Sequence, residues 1–196
     1  MENENMKFWN KVCKTNPAET KTVDYPFKHT SISAQFQIKH ATEQWGIMGE
    51  KWGVKDEKFM PIFYATDEVG LLLYTATLFH PFGQIPIHAD INFYMKTKNG
   101  IKVDNDISKK VATDALTKGL SKLGFNSDVF EGLFDDNKYV QRMKYEFSKQ
   151  ENKSIADDIN NCTSLIELRA VFESLSVDEK KAYEDLKNKK KEELNG

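Results

Sequence analysis

The sequence predicts an α+β fold: a curved antiparallel β-sheet packed on a long α-helix, with a small C-terminal helical appendix. Three observations predict it. Apolar residues recur with period two through residues 71–79 and again through 85–95, as strands with one buried face require. Between the two runs, His80-Pro81-Phe82-Gly83 supplies the turn of an antiparallel hairpin. From Asp106 to Gly124 the period becomes helical. Ala112, Ala115, Leu116, Gly119, Leu120 and Leu123 then form an apolar stripe suited to packing on a sheet.

The remaining elements follow in chain order. Phe8, Trp9 and Val12 sit at helical spacing within residues 6–14, and Asn16-Pro17 stops that turn. Residues 15–30, with Pro26 among polar neighbours, read as loop. A helix is expected from Ile32, where Ala34, Ile38, Ala41 and Trp45 recur at i, i+4, i+7 and i+11 before Gly46 ends it. A strand pair is expected near residues 51–54 and 58–65. In the hairpin, Leu72, Tyr74, Ala76 and Leu78 back onto Leu71, Leu73, Thr75, Thr77 and Phe79. In its second arm, Ile85, Ile87, Ala89, Ile91, Phe93 and Met95 alternate with Gln84, Pro86, His88, Asp90, Asn92 and Tyr94. Pro86 has no N–H to give a ladder, which argues for an edge or bulge position. After an Asn99-Gly100 turn, Asp104 to Asp106 is expected to cap the long helix. A shorter helix is expected over 137–149, then a polar linker over 151–161. Two capping boxes, Ser164 to Glu167 and Ser176 to Glu179, open a helical pair whose first member buries Leu168, Val171, Phe172 and Leu175. Residues 1–150 thus form the main domain and 162–196 a small tail suited to partner docking.

Composition bounds the function. The chain has 196 residues, 39% hydrophobic and 30% charged, and its 13 Phe, 7 Tyr and 3 Trp can build a core. No apolar run approaches the about 18 residues of a membrane span, and the acidic, polar start is unlike a secretory leader. Cys13 and Cys162 have no metal-ligand spacing, so two free thiols in a reducing, cytoplasmic compartment are expected. The net charge of −2 does not by itself suggest nucleic acid. Residues 1–150 carry 20 basic against 19 acidic side chains, and 151–196 carry 8 against 11. Any polyanion footprint must therefore come from cations placed on one face.

The long helix offers that placement. Lys110, Asp114, Lys118 and Lys122 recur every four residues, flanked by Thr113, Thr117 and Ser121, groups that suit phosphate oxygens. A solvated helix face is the plainer reading of the same pattern. Asp135-Asp136-Asn137-Lys138-Tyr139 can be a helix cap, an extension of the cationic face through Lys138 and Arg142, or a carboxylate pair for Mg²⁺, which would need more acidic partners. Trp45, Trp52, Phe59, Phe63, Tyr64, Phe82 and Tyr94 suit either a core or base stacking. His29, His40, His80 and His88 have no metal-ligand spacing, and no phosphate-binding glycine loop or nucleophile elbow is present. No cofactor is expected.

The order of these segments is informative. Phe27-Lys28-His29-Thr30, then Gln37 to Gly46 and Trp52-Gly53-Val54, lead into the hairpins. Lys109-Lys110-Val111-Ala112-Thr113-Asp114-Ala115-Leu116-Thr117-Lys118-Gly119-Leu120-Ser121-Lys122-Leu123-Gly124-Phe125 follows, ending at Asp135 to Tyr139. This resembles the phage single-strand annealing proteins (Sak-type) of the Rad-fifty-two-like superfamily over roughly residues 27–140. The resemblance implies a Rad-fifty-two-like annealing fold, protomers joined into a ring or filament, and single-stranded DNA in a basic groove between sheet and helix. Lys118 matches a family cation on this helix. Thr117 and Ser121 stand where other members have basic residues, and Ile47 where eukaryotic members have an aromatic. Lys28, Lys39, Lys51, Lys110, Lys122, Lys138, Tyr139 and Arg142 complete the expected nucleic-acid contacts.

The implied function is non-enzymatic. It is ATP-independent binding of single-stranded DNA and annealing of complementary strands in phage recombination, in the host bacterial cytoplasm. An exonuclease or single-strand-binding protein is a further expected partner. The competing expectations are a replication accessory that docks host proteins and a nuclease using Asp135 and Asp136.

Overall fold

The computed structural model describes residues 3–24, 28–63 and 69–195, so Pro26, Phe27, Tyr64 and Ala65 lie outside the described residues, as do the side chains of Tyr94 and Met95. The architecture is α+β with antiparallel sheets. The chain divides into two compact units, Met1–Val140 and Gln141–Gly196.

The first unit opens with α1 (Lys7–Val12). A two-stranded antiparallel ribbon follows, β1 (Thr20–Val23) against β2 (His29–Ile32), mostly within the stretch expected as loop; Ile32, expected to open the helix, instead ends β2. Each strand has four residues, too few to show an alternation, but Thr20, Thr22, Thr30 and Ile32 are β-branched and favour extended backbone. Then come α2 (Ala34–Trp45) and β3 (Gly53–Phe63). Gly46, at φ 97°, ends α2 in a conformation that L side chains resist, and Trp52 Nε1 donates to its carbonyl at 3.0 Å. The expected strand pair over 51–65 is one strand, not two. Its register shifts between Lys55 and Lys58, where Asp56 has φ 58°, so a β-bulge looked like a break in the sequence pattern.

β4 (Val69–His80), β5 (Gly83–Thr97) and β6 (Gly100–Val103) complete a four-stranded sheet in the order β3-β4-β5-β6. The Asn99-Gly100 turn thus closes a hairpin, since β6 pairs with residues 94–97 of β5. Pro86 faces Thr77 of β4 and, among the described residues, has no strand on its other side, which accommodates the missing N–H. Tyr74, Ala76, Leu78, Ile87 and Ala89 are buried, as the period-two pattern requires, while His88 and Asp90 are exposed.

Across this buried face lies α3 (Ile107–Lys122), contributing Val111, Ala115, Leu116, Gly119 and Leu120. Trp45, Trp52 and Phe125 join the same core. The Trp45 and Phe125 rings meet edge to face at 4.7 Å, so both tryptophans are structural. Asp106 makes no side-chain cap. Asp104 instead accepts from Asp106 N at 3.1 Å and from Lys110 Nζ at 2.6 Å, stapling the first turn. Past Gly124 the chain forms α4 (Ser127–Phe130).

α5 (Asn137–Asn161) begins in the first unit and continues through the second, where α6 (Leu165–Ser174), α7 (Val177–Ala182) and α8 (Glu184–Asn195) complete a helical cluster. The expected linker over 151–161 is therefore helix. Ile155 and Ile159, one turn apart, are buried with Cys162 and Leu168, a two-residue apolar signal too sparse to read among polar neighbours. Ser176 and Glu179 form the reciprocal capping box expected of them. At Ser164 half of the expected box is present: its hydroxyl accepts from Glu167 N at 3.2 Å, but the Glu167 carboxylate accepts from Thr163 N at 2.8 Å. Among the described residues, no helix is long and apolar enough to cross a membrane.

A Cβ built on Gly119 would stand 2.6 Å from Ile87 Cγ2 and 3.2 Å from Leu78 Cδ2. Gly119→Val should therefore lower stability by about 2–3 kcal/mol, with overpacking outweighing any gain in helix propensity. Urea unfolding checks this, and an unchanged or raised midpoint contradicts the packing described.

Candidate nucleic-acid interface

The polar side of α3 carries the expected ridge. Lys110, Thr113, Lys118 and Lys122 are exposed, and Asp114, Thr117 and Ser121 are half-buried. Steps of four residues advance about 40° around a helix, so this row winds round the cylinder rather than running straight. Its N-terminal part, Lys110, Thr113, Asp114 and Thr117, lines a groove of about 570 Å³ together with Lys109, Gln37 of α2 and residues 29–32 of β2. Lys118 and Lys122 stand outside that lining.

Most of these polar groups are engaged. Lys118 pairs with Asp114 at 2.8 Å and Lys110 with Asp104 at 2.6 Å. The hydrogen bond from Lys110 holds Asp104 below the usual carboxylate range, and Asp104 in turn raises Lys110. Thr117 and Ser121 donate back to the carbonyls of Asp114 and Lys118 at 3.0 and 2.9 Å. Among the described residues, Lys122 forms no ion pair.

A second groove, of about 460 Å³, lies along β1 and is lined by Thr20, Lys21, Thr22 and Lys28, with Asp135 and Asn137. His29 and Thr30 line both grooves, so the β1–β2 ribbon separates them, with Lys21 and Lys28 on one side and Lys109 and Lys110 on the other. Lys21, Lys109, Thr30 and Gln37 are not among the contacts expected from the sequence; Lys21 and Thr30 lie on a ribbon that the sequence predicts as loop. Gln37 is fully buried; its Nε2 donates to Phe125 O at 3.4 Å, while its Oε1 has no partner. Lys39 pairs with Glu43 at 3.8 Å and Lys51 with Glu50 at 3.0 Å, and neither lines either of these two grooves. Lys138 is exposed at the start of α5, and Arg142, also exposed, belongs to the second unit.

Within the Asp135–Tyr139 segment, Asp136 and Tyr139 make hydrogen bonds that hold the fold. Asp136 Oδ1 accepts from Lys138 N at 2.8 Å, as a helix cap does. Tyr139 Oη donates at 2.8 Å to Asp128, which is 3% exposed and also accepts from Thr15 N at 2.8 Å and Thr15 Oγ1 at 2.6 Å. Asn126 Nδ2 donates to Thr15 Oγ1, and Asn126 Oδ1 stands 3.4 Å from His40 Nδ1. Among the described residues, no three His, Cys, Asp or Glu side chains gather as metal ligands would. Of the aromatics, Phe63 and Phe82 remain open to solvent and Phe59 partly so. The chain matches no family model and no curated protein.

Tyr139→Phe should lower stability by about 1 kcal/mol while leaving affinity for oligothymidylate unchanged, as measured by thermal unfolding and fluorescence anisotropy. Weakened oligonucleotide binding with unchanged stability would assign the hydroxyl to DNA instead. Burial lowers the His40 pKa, against a smaller raising effect from Asn126 and Glu43, and burial also lowers His80. The unfolded chain therefore takes up these protons first as pH falls. Stability should decline from the ordinary histidine value of about 6.5 downward until the lower folded-state values are passed. In unfolding curves across that range, His40→Gln should show a shallower decline, and an identical decline excludes His40 as a contributor.

Proposed function

We propose that the chain binds single-stranded DNA without reading its sequence and anneals complementary strands, with no ATP and no covalent step. The observation that carries this reading is the groove between α3 and β2, where Lys109, Lys110, Thr113 and Thr117 gather beside Thr30 and Ser31. Ammonium and hydroxyl groups along a channel are what phosphate oxygens need, and none of them distinguishes one base from another. The resemblance of residues 106–124 to the phage annealing proteins supports the same reading. Under it the fold is a Rad-fifty-two-like one, with a curved sheet on α3, and the working form is a homo-oligomer, ring or filament, serving phage recombination in the bacterial cytoplasm.

The ion pairs on α3 are compatible with this. Lys110 and Lys118 hold their carboxylates at exposed positions, where water and salt screen the attraction. A phosphate replaces Asp104 or Asp114 at small cost and releases condensed counterions as it binds. Asp114 and Asp104 then act as placeholders that keep the lysines extended along the helix between DNA encounters. A strand held by its backbone leaves base edges free, and pairing with the complement supplies the driving free energy. Lys122 continues the cationic row beyond the groove, and Lys28 extends it past the ribbon.

Binding to oligothymidylate should weaken with salt, with a log–log slope of about −2 if about three phosphates are neutralised. Charge reversal at Lys110, Lys118 and Lys122 together should reduce affinity at least about tenfold and slow annealing of complementary oligonucleotides, with the circular dichroism spectrum unchanged. Undiminished binding by that variant, or no wild-type acceleration of annealing, overturns the reading.

A further inference from the structure

The second unit carries a groove of its own, which annealing does not use. Between α6 and α8 lies a cleft of about 350 Å³ with Leu165, Leu168 and Phe172 as its apolar floor and Arg169, Lys187 and Lys191 around it. Leu165 is 41% exposed, so water still reaches apolar surface that a folded helical cluster would ordinarily cover. Lys187 and Lys191 stand one turn apart on α8 and present two ammonium groups to the same side. Lys187 Nζ lies 4.5 Å from the centre of the Phe172 ring. The one carboxylate in the lining, Glu173, is held by Arg169 Nε at 2.8 Å, which leaves the two lysines of α8 as an uncompensated positive edge in the cleft.

An apolar floor with a cationic rim selects a ligand having an apolar side chain to insert and carboxylates beside it. We propose that this cleft docks an acidic peptide segment of a partner protein. The partner's leucine or phenylalanine enters between α6 and α8, and its carboxylates meet Lys187 and Lys191 and compete with Glu173 for the Arg169 guanidinium. Charge complementarity favours this occupant over a second copy of the chain, whose corresponding edge would present the same lysines. It is favoured over nucleic acid because stacking needs an open ring face. The single ring of the cleft, Phe172, already has an ammonium group over it. Contacts at an exposed rim are screened, so docking is salt-sensitive and readily reversible.

The test uses the whole chain. An array of short peptides of Asp, Leu and Phe, matched to a second array with Asn in place of every Asp, is probed at low salt. The strongest binder is then titrated by fluorescence anisotropy. The expected result is binding of acidic peptides, weaker by at least about tenfold with the Asn counterparts and with the Lys187→Glu, Lys191→Glu variant. That variant should retain the wild-type unfolding temperature and the wild-type affinity for oligothymidylate. Arg169→Ala, which removes a cation without reversing charge, should weaken docking to a lesser degree and guards against misfolding of the double variant. Absence of binding, equal binding of Asp and Asn peptides, or undiminished binding by the folded variants overturns the proposal. So does loss of oligothymidylate binding in the double variant with peptide binding intact.

Discussion

Helix α3 lies on the sheet because position 119 carries no side chain. Ile87 and Leu78 fill the space a Cβ would need, so the helix axis approaches the strands closely at that point. Val111, Ala115, Leu116 and Leu120 then pack around the contact, with Ala115 another small residue on the same face. Close approach fixes the rotation of the helix about its own axis. Once that rotation is set, the lysines, threonines and Asp114 have no choice about where they emerge. The inward face of the helix thus decides the chemistry of its outward face.

A second constraint is polar. Asp128, nearly inaccessible to water, gathers hydrogen bonds from Thr15 and Tyr139, and Asn126 links the same threonine toward His40. A carboxyl group in that position is tolerable because several donors converge on it. The network ties the segment after α1 to the turns that follow α3 and to the first turn of α5. Those turns are held by polar groups as well as by Phe125, which reaches into the core.

The cationic groups are arranged differently from the core. Their carboxylate partners are close in sequence, Asp104 with Lys110 and Asp114 with Lys118, and water reaches them. Pairs of that kind add little to stability but keep long side chains extended and limit self-repulsion in a chain whose main domain is close to neutral. Under the proposed function, the same exposure is what would let a polyanion displace the carboxylates. Buried networks hold the structure, and exposed pairs stay exchangeable.

The sequence by itself determined the hairpin of β4 and β5, the inward faces of both strands, α3 with its apolar stripe, and the box that opens α7. In each case a period or a cap is written in adjacent residues. Repeats of two and 3.6 residues are local properties of the backbone, so a run of eight or more positions reveals them. Tertiary structure alone decided the rest. The β1–β2 ribbon is too short to show a period, the bulge at Asp56 disguised one strand as two, and Ile155 and Ile159 became core through Leu168, which lies after the chain has turned. The groove draws on β2, α2 and α3, elements as far apart as Thr30 and Thr117. The acceptor that holds the Tyr139 hydroxyl, Asp128, is buried only when Thr15 is brought to it, a contact across more than a hundred residues. Spacing along the chain fixes which face a residue occupies; what that face meets is set by packing between segments distant in sequence.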